Sequence, residues 1–164
     1  MNDPTQPQAP PFVRAWMNRA PGRLIGKGHP AGDFLEAYDW TVLEERAGLL
    51  RIRAHVPAHV KNPRGQLFGG FTPTYVDLVA LFTIRAGEQR QAPGFRTWLA
   101  TANMRVDYFE PIVGPEFVIE SRIVKRRGGT SFVETRFYDP DESLAVFALT
   151  TIREVRLDQP LGDG

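Results

Sequence analysis

At 164 residues the chain has room for one packed domain, and 42% hydrophobic residues, with 11 Phe and 3 Trp, suffice to build a core and avoid disorder. Its 20 Lys and Arg against 19 Asp and Glu leave a net charge of +1, which excludes a global basic field for nucleic acid. The absence of cysteine excludes disulfides, Cys-ligated zinc and thiol nucleophiles, and suits a cytoplasmic protein.

Residues 1–11 are polar and carry Pro4, Pro7, Pro10 and Pro11, without the basic start and apolar run of a secretory signal. Residues 1–20 read as a disordered or partly helical lead-in, in which residues 12–17 begin a short helix that Pro21-Gly22 stops. A single domain is expected over residues 21–157, followed by a frayed polar tail over residues 158–164. Gly22, Gly26, Gly28, Pro30 and Gly32 predict an irregular loop over residues 22–33. Residues 35–45, with Tyr38 and Trp40, predict a strand. After Gly48, Leu50, Ile52, Ala54 and Val56 alternate with Arg51, Arg53 and His55, the period-two pattern of a half-buried strand. The pair resembles a hairpin.

Residues 57–70 hold Pro63, Gly65, Gly69 and Gly70 and predict a loop. The character then changes, because Tyr75, Val76, Leu78, Val79, Leu81, Phe82 and Ile84 are apolar on nearly all sides of a helix. Such a helix is buried, with the rest of the protein around it. Thr72 is the expected cap, and Pro73 is acceptable in the first turn, where its missing N–H has no partner to lose. No stretch reaches the ~20 apolar residues of a membrane-spanning helix. Strands follow over residues 98–108, ended by Pro111, and over 117–123, where Phe117, Ile119, Ser121 and Ile123 alternate with polar or smaller neighbours. Gly128-Gly129 turns the chain into residues 131–138, and Asp139-Pro140-Asp141 turns it into residues 144–155. The expected fold class is α+β: one long buried central helix wrapped by a curved antiparallel sheet of about five to six strands, the last four or so as a meander.

Asp77 is the odd residue of that helix, since a buried carboxylate is costly unless it is paired, hydrogen-bonded or useful. A structural alternative stands beside the functional one, because the positive end of the helix dipole can ease its charge. Gly69-Gly70 just before the helix presents bare backbone N–H groups, a site for an anion or a developing oxyanion, or else a tight turn. Asn62 can orient a water or simply close an Asx-turn before Pro63. Lys125-Arg126-Arg127 is the dense basic cluster, either a solvated hairpin tip or a contact for phosphates, with Arg64 as a weaker candidate for the same task.

Taken together, Asn62-Pro63-Arg64-Gly65-Gln66-Leu67-Phe68-Gly69-Gly70 and the downstream Asp77 resemble the signature of hot-dog-fold acyl-CoA thioesterases. In the phenylacetate-pathway (PaaI-like) branch it reads N-x-x-G-x-L-H-G-G, with Asp seven residues after the second Gly, and every spacing matches here. The strand order matches over residues 35–156. Phe68 departs from the pattern, standing where that branch carries His; a related branch carries F-G-G with the same Asp. The resemblance implies a hot-dog fold and hydrolysis of acyl-CoA to free acid and CoA. It implies Asp77 as nucleophile or general base, the Gly69 N–H, with Gly70, as oxyanion hole, and Asn62 orienting water or carbonyl. It also implies a hydroxyl on the strand after the helix, at Thr101, or Thr97 if the register slips. Phe68, Phe71, Tyr75, Phe82 and Trp98 are expected around the acyl group. No metal and no cofactor beyond the CoA of the substrate is implied. The expected assembly is a homo-oligomer, a dimer or dimer of dimers, with sites between subunits and with no nucleic-acid or membrane partner. His29, His55 and His59 all fall outside the signature, which weighs against the rival hot-dog dehydratase or hydratase reading; a non-catalytic acyl-CoA-binding protein is the other alternative.

Overall fold

Alternation of apolar and polar side chains folds most of the chain into one antiparallel sheet, seen in a computed structural model that describes Ala15, residues 18–87 and residues 97–156. Apart from Ala15, the helix expected in residues 12–17 lies outside the described residues, as does the tail 158–164. The six strands are β1 (Thr41–Arg46), β2 (Leu49–His55), β3 (Thr97–Tyr108), β4 (Glu116–Arg127), β5 (Thr130–Tyr138) and β6 (Leu144–Arg156). A short helix α1 (Pro30–Phe34) precedes β1, and the long helix α2 (Thr72–Arg85) lies between β2 and β3. One long helix against a six-stranded antiparallel sheet is the hot-dog architecture that the signature implied.

Three expectations are corrected. Residues 35–45 are not one strand: a 3-10 turn (Ala37–Asp39) takes up the first part and pairing starts at Thr41, while α1 occupies the end of the stretch 22–33 expected as irregular loop. His29 caps α1 through Nδ1, which accepts from Gly32 N–H at 3.0 Å, and Pro30 starts the helix. Burial lowers the His29 pKa, which favours the neutral ring that this acceptor role requires. Second, the last four strands are not a plain meander. The order is β1-β2-β4-β5-β6-β3, so β3 crosses to the far edge and pairs with β6, while β2 pairs with β4. Third, Phe71 rather than Thr72 is the N-cap residue of α2, and Thr72 is the buried first residue of the helix.

The core lies between α2 and the concave sheet. Tyr75, Val76, Val79 and Ala80 are fully buried, as are Ile52 on β2, Ile119 on β4 and Phe137 on β5. Trp40 stacks on Tyr75 at 5.2 Å between ring centroids, and Phe117 and Phe137 pack beside it at 5.5 and 6.3 Å. Burial raises the Tyr75 pKa above the ordinary phenol range, and its hydroxyl donates to the His55 carbonyl at 3.0 Å. Burial of α2 is not complete all round: Pro73, Thr74, Asp77, Leu81 and Arg85 are only half-buried. Their spacing places them on one stripe of the helix. At the other end of α2, Arg126 donates to the Ile84 carbonyl at 2.6 Å, satisfying a terminal acceptor with a positive charge. The turn Gly128-Gly129 has φ of 55° and 74°, the left-handed pair that a tight hairpin needs. Among the described residues no helix is long and apolar enough to cross a membrane.

Removing the Trp40 ring opens a cavity against Tyr75. Trp40→Ala is expected to cost about 3–5 kcal/mol, read as a lower urea midpoint with an unchanged slope.

Candidate active site

The loop before α2 is held at both ends. Phe68 N–H donates to Val60 O at 2.9 Å and Leu67 N–H to Ile112 O at 2.9 Å, while Lys61 and Leu67 form a short bridge. Asn62 ties the loop between them. Its Oδ1 accepts from the backbone N–H of Arg64 at 2.9 Å and of Gln66 at 3.1 Å, and its Nδ2 donates to Gln66 Oε1 at 3.1 Å. The carboxamide is therefore committed to the loop as an Asx-turn, and Arg64 stands exposed on it.

That loop delivers the chain into a 3-10 turn (Gly69–Phe71) running straight into α2. Phe71 N–H donates to the Phe68 carbonyl at 2.9 Å, and Thr72 N–H donates to the Gly69 carbonyl. The N–H groups of Gly69 and Gly70 have no acceptor among the described residues and open at the positive end of the helix. The Phe68 ring lies over Gly70, where a Cβ would come within 2.7 Å of it. Phe68 is 51% exposed and packs edge-on against Phe71, which packs against Phe34 of α1 at 5.5 Å. Phe34 falls between the stretch expected as loop (22–33) and that expected as strand (35–45), so no sequence pattern singled it out.

Asp77 lies on the half-buried stripe of α2 and is the only carboxylate of that helix. Thr101 Oγ1 donates to Asp77 Oδ1. A bulge in β3 makes this contact. Thr101 pairs with Ile152 and Asn103 with Thr151, leaving Ala102 as the extra residue. Strict alternation from the inward-facing Met104 would turn Ala102, Ala100 and Trp98 toward the helix; the extra residue turns Thr101 and Leu99 inward instead. Leu99 accordingly packs with Ala80 and Ile84, whereas Trp98 lies on the outer face, 44% exposed. Thr97 pairs with Arg156, and its side chain lies outside the described residues.

Not every expected site residue gathers here. Tyr75 and Phe82 are buried in the core and Trp98 faces away, so the expected acyl wall reduces to Phe68 and Phe71, joined by Phe34. Among the basic cluster, Arg126 is taken up by the end of α2, while Lys125 and Arg127 are exposed near the hairpin tip. A cleft of about 290 Å³ there is lined by Arg85, Arg126, Arg127 and Gly128-Gly129. The histidines are placed elsewhere: His55 Nε2 meets Glu36 Oε2 at 2.9 Å, His59 Nε2 meets the Phe34 carbonyl at 2.6 Å, and His29 caps α1. Among the described residues no three His, Asp or Glu side chains gather as a metal site. Tyr108, which sequence reading passed over, reaches the signature turn: its hydroxyl donates to the Gly69 carbonyl at 2.8 Å.

Residues 64–146, from the signature loop into β6, match the thioesterase superfamily. The chain belongs to the thioesterase superfamily. No curated protein matches the sequence. Among solved structures, a mutant thioesterase from Pseudomonas aeruginosa is similar at 13% identity, with 94% of this chain and 98% of that one covered and a TM-score of 0.66. A thioesterase from Haemophilus influenzae is similar at 9% identity, with 80% and 87% covered and a TM-score of 0.65. A hypothetical thioesterase protein from Streptococcus pneumoniae with coenzyme A is similar at 14% identity, with 74% and 89% covered and a TM-score of 0.60.

Asn62→Ala removes the acceptor of two backbone N–H groups in the signature loop. A loss of about 1–2 kcal/mol is expected in chemical denaturation. Asn62→Asp, which keeps the acceptor, should lose less.

Proposed function

We propose that this protein hydrolyses acyl-CoA thioesters to a free acid and CoA, with Asp77 as the catalytic carboxylate. The observation that carries the reading is the Thr101 hydroxyl on Asp77 Oδ1. It fixes the one carboxylate of α2 on the accessible stripe and leaves Oδ2 for a reacting partner. The carbonyl oxygen of the thioester takes the open N–H groups of the Gly69-Gly70 turn. A preorganised donor at the developing oxyanion is worth about 2.7–4 kcal/mol. Asp77 removes a proton from water as the water oxygen bonds to the carbonyl carbon. The tetrahedral intermediate then collapses, the C–S bond breaks, and the departing thiolate takes up the proton. A thiol with a pKa near ~8.5 leaves without strong acid help, which is why no side chain is needed beside the sulfur. Direct attack by Asp77, followed by hydrolysis of the mixed anhydride, gives the same products.

Asn62 contributes by holding the loop that carries these donors. Phe34, Phe68 and Phe71, packed beside the turn, offer an apolar wall to the acyl group. The arginine-lined cleft at the hairpin tip, with exposed Lys125 and Arg127, suits the CoA phosphates. A cytoplasmic location, proposed with this reading, fits a CoA substrate.

We further propose that the working unit is a homodimer, alone or in a dimer of dimers, paired along β3. This strand of 12 residues forms one edge of the sheet, beside the half-buried stripe of α2. A long edge of this kind is a template for pairing. Gly70 and Asp77 stand about 10 Å apart along the helix axis within one chain, about as far as a carbonyl and its attacking water can bridge. A second copy laid against the stripe supplies donors closer to the carboxylate.

Asp77→Asn should lower thiol release by about 10²–10⁴-fold while the melting temperature holds. Wild-type activity in that variant would remove Asp77 from the mechanism. Binding of short, long and aromatic acyl-CoAs without turnover of any would favour an acyl-CoA-binding protein instead. Light scattering at micromolar concentration should give the mass of a dimer or tetramer, and a monodisperse monomer would defeat the shared site.

A further inference from the structure

The Tyr108 hydroxyl donates to the Gly69 carbonyl at 2.8 Å, across 39 residues of sequence. Tyr108 closes β3, and its ring also packs on the turn, since a Cβ on Gly69 would lie 3.6 Å from Tyr108 Cε1. The same carbonyl accepts the Thr72 N–H. Gly69 C=O and Gly70 N–H belong to one peptide plane, and in a trans peptide the two point in opposite directions. A carbonyl pinned on one side by Tyr108 and Thr72 therefore fixes the direction of the Gly70 N–H on the other. Two donors on the carbonyl also polarise the amide, which makes its N–H a stronger donor.

We propose that Tyr108 is a positioning residue that aims and polarises the Gly70 N–H toward the thioester oxyanion. This rests on the thioesterase reading above and adds to it a residue outside the signature. It also ranks the two candidate donors. The Phe68–Gly69 peptide, which carries the Gly69 N–H, has its carbonyl held only by the local turn. The Gly69–Gly70 peptide is tied to the sheet as well. Gly70 N–H is the better-fixed donor, with Gly69 N–H beside it. One strand thereby serves both halves of the chemistry: β3 holds Asp77 through Thr101 and the oxyanion turn through Tyr108.

Tyr108→Phe keeps the ring against Gly69 and removes the hydroxyl alone. The expected result is a fall in kcat of about tenfold with KM little changed, milder than the ~100-fold or more that follows loss of a direct oxyanion donor. Infrared spectra of a carbonyl-labelled acyl-CoA bound to Asp77→Asn supply a readout that general loosening of the fold would not move. There the thioester C=O stretch should lie below its solution value, and adding Tyr108→Phe should return it part of the way. An unchanged kcat, or an unchanged C=O stretch in the double variant whatever happens to kcat, overturns the assignment. In either case an active wild type leaves the thioesterase reading standing. A wild type that hydrolyses no acyl-CoA removes both.

Discussion

A helix that is apolar on almost every side has to be buried, and this chain has a single sheet to bury it with. Tyr75, Val76 and Val79 occupy the concave face, and Trp40 closes over Tyr75 from the N-terminal side. One curved sheet can wrap a cylinder only so far. A stripe from Pro73 to Arg85 stays half-open along the edge formed by β3, and the only carboxylate of the helix stands on it. Burial of Asp77 would carry a desolvation penalty, while full exposure would leave it as ordinary surface. The stripe gives it neither, and the Thr101 hydroxyl fixes its orientation.

The edge strand then becomes the frame of the site. Its bulge at Ala102 turns Thr101 toward the helix and Trp98 away from it. At its C-terminal end Tyr108 reaches the turn that starts the helix. The helix contributes the carboxylate and the turn before it the open backbone donors, and β3 reaches both, through Thr101 and Tyr108. The unpaired side of the same strand is the surface along which a second copy is proposed to join.

Polar side chains that catch the eye in the sequence are largely spent on structure. His29 caps α1, His55 pairs with Glu36, His59 meets the Phe34 carbonyl, and Arg126 closes the C-terminal end of α2. Asn62 holds a loop. What is left along the turn and the first half of α2 is chemically plain: two N–H groups, a carboxylate with a hydroxyl on it, and aromatic rings. Thioester cleavage asks for little more, because the leaving group is already good.

By itself the sequence determined the fold class, the central helix through residues 75–84, the hairpin at Gly128-Gly129 and the spacing from Asn62 to Asp77. All of these rest on local periodicity, on turn chemistry or on a contiguous motif, which a linear reading can see. Only the tertiary structure decided that β3 crosses to the far edge, that Trp98 faces out and that Tyr75 and Phe82 belong to the core. Strand order depends on which surfaces pack, and one bulged residue reverses every side chain beyond it. The aromatic pattern of residues 35–40 read as strand because propensity is a local quantity, whereas Trp40 is placed by its packing on Tyr75, far along the chain. The link from Tyr108 to Gly69 spans 39 residues and carries no sequence signal at all, since a tyrosine at a strand end is ordinary until the fold brings a carbonyl to its hydroxyl.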